Sequence, residues 1–355
     1  MRTVTQELQR SGASSAANIG QGSEEARLEG VLDSITNVQI ESLAGPHQEQ
    51  ASLMRTVFEQ PNVVGIGISE KVSKGEKTGR MAVTFYVKKK LPPSKLSNSR
   101  MVPRVVPSAL TAGSSVPTDV IELGEIKLQM SPFVQRTPIQ PGNSVGHVQA
   151  LAGTLGAIVK RGGKRMILSN SHVLALSGKG RKGDAILYPG KADGGRRPGD
   201  VIAKLDRFTK FKVGGNYVNE VDCAVAELIG NVHSRPVNQQ IRGLAAPKGV
   251  GGPKRNMKVQ IVGRTSGVSR STTIVDTHFR FEVTYPDLGK SVGFKNQILC
   301  RPPYGQAGDS GALVIEKSSG LAVGLHFAGT SKGSVFCPIG KVLKNMNVTL
   351  DLAKG

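Results

Sequence analysis

One short loop of the sequence has the composition that acyl-transfer chemistry needs. Residues 308–311 read Gly-Asp-Ser-Gly. Glycines on both sides of a serine let the backbone present the hydroxyl clear of the chain and turn the N–H groups of Gly308 and Ser310 into one small volume. One such N–H group is typically worth about 2.7–4 kcal/mol when it stabilises a developing oxyanion. An ordinary surface turn can have the same sequence, so this loop alone leaves the function open.

Two further residues could assist a serine hydroxyl. His172 directly follows an apolar run and a Ser-Asn-Ser turn, where a strand end would hold a neutral imidazole as a general base. Asp222 directly precedes the apolar stretch 223–228, where a carboxylate could orient that imidazole. Taken singly, each has a plainer interpretation, since the histidine could be structural and the aspartate a turn residue.

The order and spacing of the three residues favour a catalytic role over these structural interpretations. They occur as His, Asp and Ser, with gaps of 50 and 88 residues. The catalytic triad of chymotrypsin has the same order. The sequence therefore favours one site built from His172, Asp222 and Ser310.

The elements that must position this site are short strands. From residue 144 onward, apolar runs alternate with glycine-rich turns and show almost no helical periodicity, which is typical of antiparallel barrels or sandwiches. We expect strands at Gly153–Val159, Arg165–Ser169, Asp184–Tyr188, Val201–Leu205, Cys223–Leu228, Lys258–Gly263, Ser271–Val275, Phe279–Thr284 and Gln297–Cys300, and a short helix at Val342–Met346. Two small barrels fit into this length, one carrying His172 and Asp222 and the other carrying Ser310.

On these residues the chain resembles the trypsin-like (chymotrypsin-fold) serine proteases, closest to their bacterial and intracellular branches. Residues 168–173 and 222–225 look like the His and Asp motifs of HtrA-type proteases, and residues 308–311 are similar to the trypsin-type Ser motif. Residues 62–67, 142–147, 152–156 and 262–267 resemble a family of bacterial trypsin-like proteins. Plant narrow-leaf-type proteases share features with that family.

The resemblance implies a mainly β fold, a double six-stranded antiparallel β-barrel preceded by a helical arm and a small α+β domain. It implies a serine endopeptidase that works through an acyl-enzyme. Ser310 would be the nucleophile, His172 the general base and Asp222 its orienting carboxylate. The backbone N–H groups of Gly308 and Ser310 would form the oxyanion hole.

The resemblance also implies substrate contacts. Phe327, Ala328 and Gly329 look like the strand that aligns the substrate backbone. Tyr304 stands six residues before the serine, where trypsins carry an acidic specificity residue, so we expect a small or apolar residue before the scissile bond rather than Lys or Arg. No Ile/Val-Val-Gly-Gly start follows a basic cleavage site, which argues against activation by a freed N-terminus inserting toward Asp309.

Changes in composition predict the domain organisation. We expect a disordered tail at 1–22, an acidic helical arm at 23–60, a small α+β domain at 61–129, a linker at 130–143 and a trypsin-like domain at 144–355. We expect the N-terminal region to regulate the enzyme, recruit substrate or mediate self-association as a homo-oligomer.

Composition limits the functional classes and cellular locations that the sequence could have. No apolar run approaches the roughly 18–20 residues of a membrane span, no secretory signal pattern opens the sequence, and the three cysteines have no metal-type spacing. We therefore expect a cytoplasmic protein that acts on protein or peptide substrates with no cofactor, no metal and no membrane partner. The net charge is −4 over residues 1–60 and +25 over the rest. Two alternatives stay open: a catalytically silent scaffold, and a basic protein that binds nucleic acid or acidic partners.

Overall fold

The computed structural model of the protein describes residues 24–36, 45–111, 113–126, 138–214, 217–230 and 235–352. The tail predicted at 1–22 and most of the linker predicted at 130–143 lie outside these ranges. The chain divides into two compact units. One comprises residues 1–86 and 90–121, and the other comprises residues 87–89 and 122–355.

The described part of the first unit contains two α-helices, short 3₁₀ turns and a small sheet. Helix α1 spans residues 24–36 and α2 spans Pro46–Phe58. The strands are β1 (Val63–Ser73), β2 (Glu76–Val87) and β3 (Thr118–Glu122), ordered β1-β2-β3. Leu28, Val31, Leu32 and Ile35 of α1 are buried, as their helical spacing predicts. The domain boundaries predicted from composition remain predictions.

The second unit is built almost entirely from strands, of which those in its N-terminal half form one antiparallel sheet. They are β4 (Ser144–His147), β5 (Gly153–Thr154), β6 (Ala157–Arg161), β7 (Lys164–Ser169), β8 (Ala185–Leu187), β9 (Val201–Phe208) and β11 (Ala224–Leu228). With the C-terminal strand β19 (Thr349–Leu350), their order is β19-β6-β7-β11-β9-β8-β4-β5. Strand β5 lies at one end of this order and β6 lies next to the other end, yet only two residues separate them in the chain. The two ends of the sheet must therefore come close together, and the sheet curls around buried residues such as Val145, Ile167 and Ala224.

The C-terminal half forms a second curled sheet. Its strands are β10 (Tyr217–Asn219), β12 (Lys258–Gly263), β13 (Gly267–Val268), β14 (Thr272–Tyr285), β15 (Lys290–Arg301), β16 (Leu313–Glu316), β17 (Ala322–Thr330) and β18 (Gly333–Pro338). Pairing runs β15-β18-β17-β16-β12-β14, and β14 pairs again with β15, so six strands close into a barrel. Ile261, Ile298 and Phe336 are among the residues of its core.

Helices are few in this unit. They are α3 (Ser171–Leu174) and α4 (Ile339–Met346), with short 3₁₀ turns at Leu176–Gly178 and Lys191–Asp193. The fold class predicted from the sequence is confirmed at this level: the described chain is mainly β, with two curled, largely antiparallel sheets and few helices. None of the helices in the described part of the chain combines the length and apolarity that a membrane crossing requires.

Several predicted strand boundaries are wrong. The stretch expected as one strand at Gly153–Val159 forms β5 and β6, and the strand expected at Gln297–Cys300 begins at Lys290. Separate strands were expected at Ser271–Val275 and Phe279–Thr284, but the chain runs through both as the single strand β14. The Asp276 carboxylate accepts a hydrogen bond from the His278 N–H at 2.7 Å, and the register with β15 shifts around this point. The polar residues that indicated a turn therefore form a bulge, which bends the strand without ending it.

Candidate active site

His172 is positioned by the end of β7. That strand finishes at Ser169, and α3 begins two residues later, which places the histidine in the first turn of a short helix. The Asn170 side-chain amide donates to the Asp222 carbonyl at 2.7 Å, so the turn is tied to the segment that precedes β11. The His172 side chain is 11% exposed, which leaves one edge of the imidazole accessible.

The Asp222 carboxylate is completely buried and receives four hydrogen bonds. His172 Nδ1 lies 2.5 Å from Oδ2, and the backbone N–H groups of Ser171 and His172 lie 2.6 and 3.3 Å from Oδ1. The Tyr285 hydroxyl donates to Oδ2 at 2.9 Å. Because the carboxylate accepts from Nδ1, the Nε2 atom of His172 is the nitrogen left to accept a proton. This arrangement suits a general base.

Tyr285 lies at the end of β14, and sequence reasoning did not identify it. Its ring is buried, packs on Phe211 with a centroid distance of 4.7 Å, and lies 5.9 Å from the His172 ring. Burial and the neighbouring Asp222 charge raise the pKa of the Tyr285 hydroxyl well above 10, so it stays a neutral donor. Nothing in the local sequence distinguishes this tyrosine, because its partner lies 63 positions away.

The serine loop has the backbone shape that its glycines predict. Gly308 and Gly311 have φ values of +97° and +95°, a region that disfavours residues with a Cβ atom. Among the residues that the structure describes, neither the Gly308 nor the Ser310 backbone N–H has a hydrogen-bond partner. Two donors near the serine are therefore available to a bound group.

Asp309 holds the loop from beneath. Its buried carboxylate accepts hydrogen bonds from the backbone N–H groups of Thr265, Ser266 and Gln306 at 3.0, 3.1 and 2.8 Å, and from the Ser266 hydroxyl. A Cβ atom at Gly263 would lie 2.0 Å from this carboxylate, so the glycine makes room for it. All of these donors come from within the same unit.

Thr154 joins the serine loop to the histidine segment. Its N–H donates to the Ser310 carbonyl at 2.7 Å and its hydroxyl donates to the Gly308 carbonyl at 2.9 Å. Its own carbonyl accepts from the Ser169 hydroxyl at 2.7 Å, three residues before His172. The serine loop and the segment that leads to His172 therefore share Thr154 as a hydrogen-bonding partner.

The Ser310 hydroxyl points at the neighbouring strand. It is 2% exposed and donates to the Phe327 carbonyl at 3.3 Å; within the described residues it has no hydrogen bond to His172. Phe327, Ala328 and Gly329 lie in β17, which pairs with β18 on one edge. The other edge pairs with β16 as far as Leu325, and the His326 backbone continues this pairing with Gly311 and Ala312. In the part of the chain that the structure describes, no strand pairs with this edge beyond that point, although residues 327–329 are buried.

Other groups around the site were not expected from the sequence. The Cys337 sulfur accepts the Asp222 N–H at 3.3 Å, and burial raises the pKa of that thiol well above its usual value. The three cysteines are free and buried. In the described part of the chain, no group of His, Cys, Asp and Glu side chains is arranged to hold a metal ion.

Comparison with known proteins gives distant structural likenesses. No family model matches the chain, and no curated protein matches it. Protease A from Thermobifida fusca is 16% identical, with a TM-score of 0.44, over 61% of this chain and 100% of that one. A Cellulomonas bogoriensis chymotrypsin is 15% identical, with a TM-score of 0.42, over 61% of this chain and 100% of that one. A protease from Nocardiopsis is 14% identical, with a TM-score of 0.42, over 60% of this chain and 99% of that one. These identities and TM-scores are too low to transfer residue roles to this chain.

Proposed function

We propose that the protein is a serine endopeptidase that hydrolyses peptide bonds through an acyl-enzyme. The observation that carries the proposal is the buried Asp222 carboxylate bound to His172 Nδ1 at 2.5 Å. The serine loop is tied to the histidine segment through Thr154, and two of its N–H groups have no partner among the described residues. A fixed imidazole, an adjacent hydroxyl and convergent donors are the parts that acyl transfer to serine needs.

In the proposed first step, Ser310 Oγ turns from the Phe327 carbonyl and attacks the substrate carbonyl carbon while His172 Nε2 takes the hydroxyl proton. The N–H groups of Gly308 and Ser310 stabilise the oxyanion. His172 then donates its proton to the leaving amine, the C–N bond breaks and an ester to Ser310 remains. A water molecule, deprotonated by His172, hydrolyses the ester and restores the hydroxyl.

The free edge of β17 supports a mode of substrate binding. Phe327, Ala328 and Gly329 would pair with the substrate backbone as an added strand, which presents the scissile carbonyl to Ser310. Because the Asp309 carboxylate already has donors inside the unit, the loop would not need a freed N-terminus to hold its shape. We also propose that the N-terminal region regulates the enzyme.

Labelling with a fluorophosphonate probe, which reacts with activated serines, tests the proposal. We expect wild type to be labelled, Ser310→Ala and His172→Ala to be silent, and Ser291→Ala, a serine on the β14–β15 hairpin, to match wild type. Absence of labelling in folded wild type at several pH values would contradict the proposal and favour the catalytically silent scaffold.

A basic groove favours a second candidate function, binding of nucleic acid or an acidic partner. The groove has a volume of about 540 Å³, and its lining includes Arg161, Lys182, Arg207 and Lys210. Asp206, also in the lining, forms ion pairs with Arg161 and Lys182. We expect binding of single-stranded DNA to weaken steeply with salt and to be reduced by Lys210→Glu. No binding at low salt would exclude this function for the groove.

A further inference from the structure

The basic groove continues into a second depression. The groove has a volume of about 540 Å³ and the depression one of about 370 Å³, and Lys182 and Asp206 line both. The depression adds Lys204 and the partly buried residues Leu228 and Ile229. Together they form one recess, which we call the extended groove, with cations along its length and an aliphatic wall in one part.

The extended groove has an excess of positive charge. Its two carboxylates, those of Asp206 and Glu227, are already paired with Arg or Lys side chains. Within the described residues, Lys204, Arg207 and Lys210 form no ion pair, and all three are exposed. Three cations without counter-ions in one recess attract an acidic ligand.

One end of the extended groove adjoins the histidine turn. Four of its lining residues lie in the segment from Asp206 to Lys210. In the same segment, the Thr209 carbonyl accepts the Ser171 hydroxyl at 2.7 Å, and His172 is the next residue in the chain. The extended groove is therefore one hydrogen bond away from the turn that carries the proposed general base.

We propose that the extended groove docks an acidic segment of the protein substrate, in which aliphatic residues are interspersed among Asp and Glu. The acidic side chains would lie against Lys204, Arg207 and Lys210, and the aliphatic ones against Leu228 and Ile229. This deepens the proposed peptidase function and rests on it, because it names the class of substrate. The segment would dock apart from the scissile bond, so its binding energy would hold the substrate at the enzyme without changing the bond-breaking step.

The lining of the extended groove favours a peptide over nucleic acid. Single-stranded nucleic acids bind through their phosphates and through bases stacked on aromatic side chains. Among the described lining residues, Phe208 is the single aromatic one, and it is half-buried. Phosphates and sugars would leave Leu228 and Ile229 without an apolar partner, whereas a Leu or Ile side chain of a peptide would cover them.

Cleavage of two matched substrates by the full-length protein tests the docking site. Both contain one cleavable sequence, chosen from a peptide library, and a flexible linker that leads to a Glu-Asp-Leu-Glu-Glu-Ile tail in one and to a Gln-Asn-Leu-Gln-Gln-Ile tail in the other. We expect the acidic tail to lower KM roughly tenfold and to leave kcat unchanged, since uniform binding affects KM alone. Equal KM values, with the tails at either end of the substrate, would overturn the proposal.

The double variant with Lys204→Glu and Lys210→Glu should lose this difference in KM. Within the described residues, neither lysine side chain has a hydrogen-bond partner, so reversing its charge removes no structural contact. The matched control combines Lys254→Glu and Lys317→Glu, which change the net charge equally at exposed positions outside the extended groove. We expect the control to keep the wild-type difference. Loss of the difference in both variants would indicate attraction by net charge alone and would overturn the docking site.

Binding without cleavage separates this proposal from the peptidase itself. Fluorescence anisotropy would follow the binding to full-length Ser310→Ala of the labelled acidic tail, of a Glu-Asp-Gly-Glu-Glu-Gly analogue and of oligothymidylate. We expect the acidic tail to bind most tightly and its affinity to fall as salt is added. No binding of the tail, equal binding of its glycine analogue, or tighter binding of oligothymidylate would overturn the proposal. Binding of the tail without probe labelling of wild type would reject only the peptidase.

Discussion

At the scale of single residues, the site depends on the hydrogen bonds that hold the Asp222 carboxylate in place. Four donors converge on its carboxylate, and three of them come from the histidine turn or the histidine itself. The fourth, Tyr285, comes from the other sheet. We therefore propose that Tyr285 is a positioning residue, which restrains the same carboxylate oxygen that binds the imidazole.

The Tyr285→Phe variant tests this role. Hydrogen bonds to charged groups contribute about 1.5–3 kcal/mol. With three of the four donors still in place, we expect kcat to fall roughly tenfold with KM unchanged, since Tyr285 is completely buried. The check is a comparison of kcat and KM, with Tyr188→Phe as control, because that buried hydroxyl donates to the Pro138 carbonyl instead. An unchanged kcat would show that Tyr285 is a packing residue.

His326 gives the folded state a pH dependence. Its pKa is about 4 when folded, against an ordinary value of 6.5, so the unfolded chain binds more protons between these values. Stability from this group is therefore complete above pH 6.5 and falls as the pH drops to 4. The loss is at most about 3 kcal/mol. Urea unfolding at several pH values would measure it, and His326→Leu should lose this part of the slope.

At the scale of elements, close backbone approaches fix the site. The serine loop, β5 and the end of β7 meet around Thr154, where a Cβ atom on Gly153, Gly156 or Gly311 would collide with a neighbour. A Cβ atom at Gly311 would lie 2.0 Å from Ser169 Oγ and 2.3 Å from the Thr154 carbonyl oxygen. A Cβ atom at Gly153 would meet Val173, which follows His172, and the Ser310 carbonyl.

Gly311→Ala should therefore displace the serine loop. Its positive φ and the two collisions together predict a loss of about 2–5 kcal/mol in unfolding free energy and a near-complete loss of probe labelling. Thermal unfolding and labelling would be measured together. Gly252→Ala is the control, because no atom lies within 4 Å of a Cβ atom there. Normal labelling of Gly311→Ala would show that the loop does not need this approach.

At the scale of the whole molecule, charge is unevenly distributed along the chain. Residues 1–60 have a net charge of −4, and the remainder has +25. Opposite net charges attract, and salt screens that attraction over about 10 Å at 0.1 M ionic strength. This asymmetry is a physical basis for the proposed regulation by the N-terminal region.

If the acidic region inhibits the enzyme through charge, added salt should relieve the inhibition. We expect the rate of fluorophosphonate labelling to rise severalfold between about 0.05 M and about 0.5 M NaCl. Circular dichroism at both concentrations would establish that the fold is unchanged. Equal labelling rates would exclude an electrostatic mechanism, though not regulation by another means.

Local sequence alone determined much of this protein. Period-two alternation and glycine-rich turns predicted the strands, because burial on one face and turns with positive φ are read from neighbouring residues. The Gly-Asp-Ser-Gly loop predicted its own backbone shape for the same reason. The pairing of His172 with Asp222 was predicted from residue types and order, and the structure places the two side chains in contact.

Only the tertiary structure decided the rest. Tyr285, Thr154 and the buried, facing rings of Tyr304 and His326 acquire their positions from strand pairings between distant segments, which no local pattern encodes. The bulge at Asp276 likewise depends on β14 finding its partner β15, since an isolated segment with the same residues would read as a turn. Local preferences therefore determined the strands and the types of reactive residue, whereas long-range packing determined which buried polar atoms are paired.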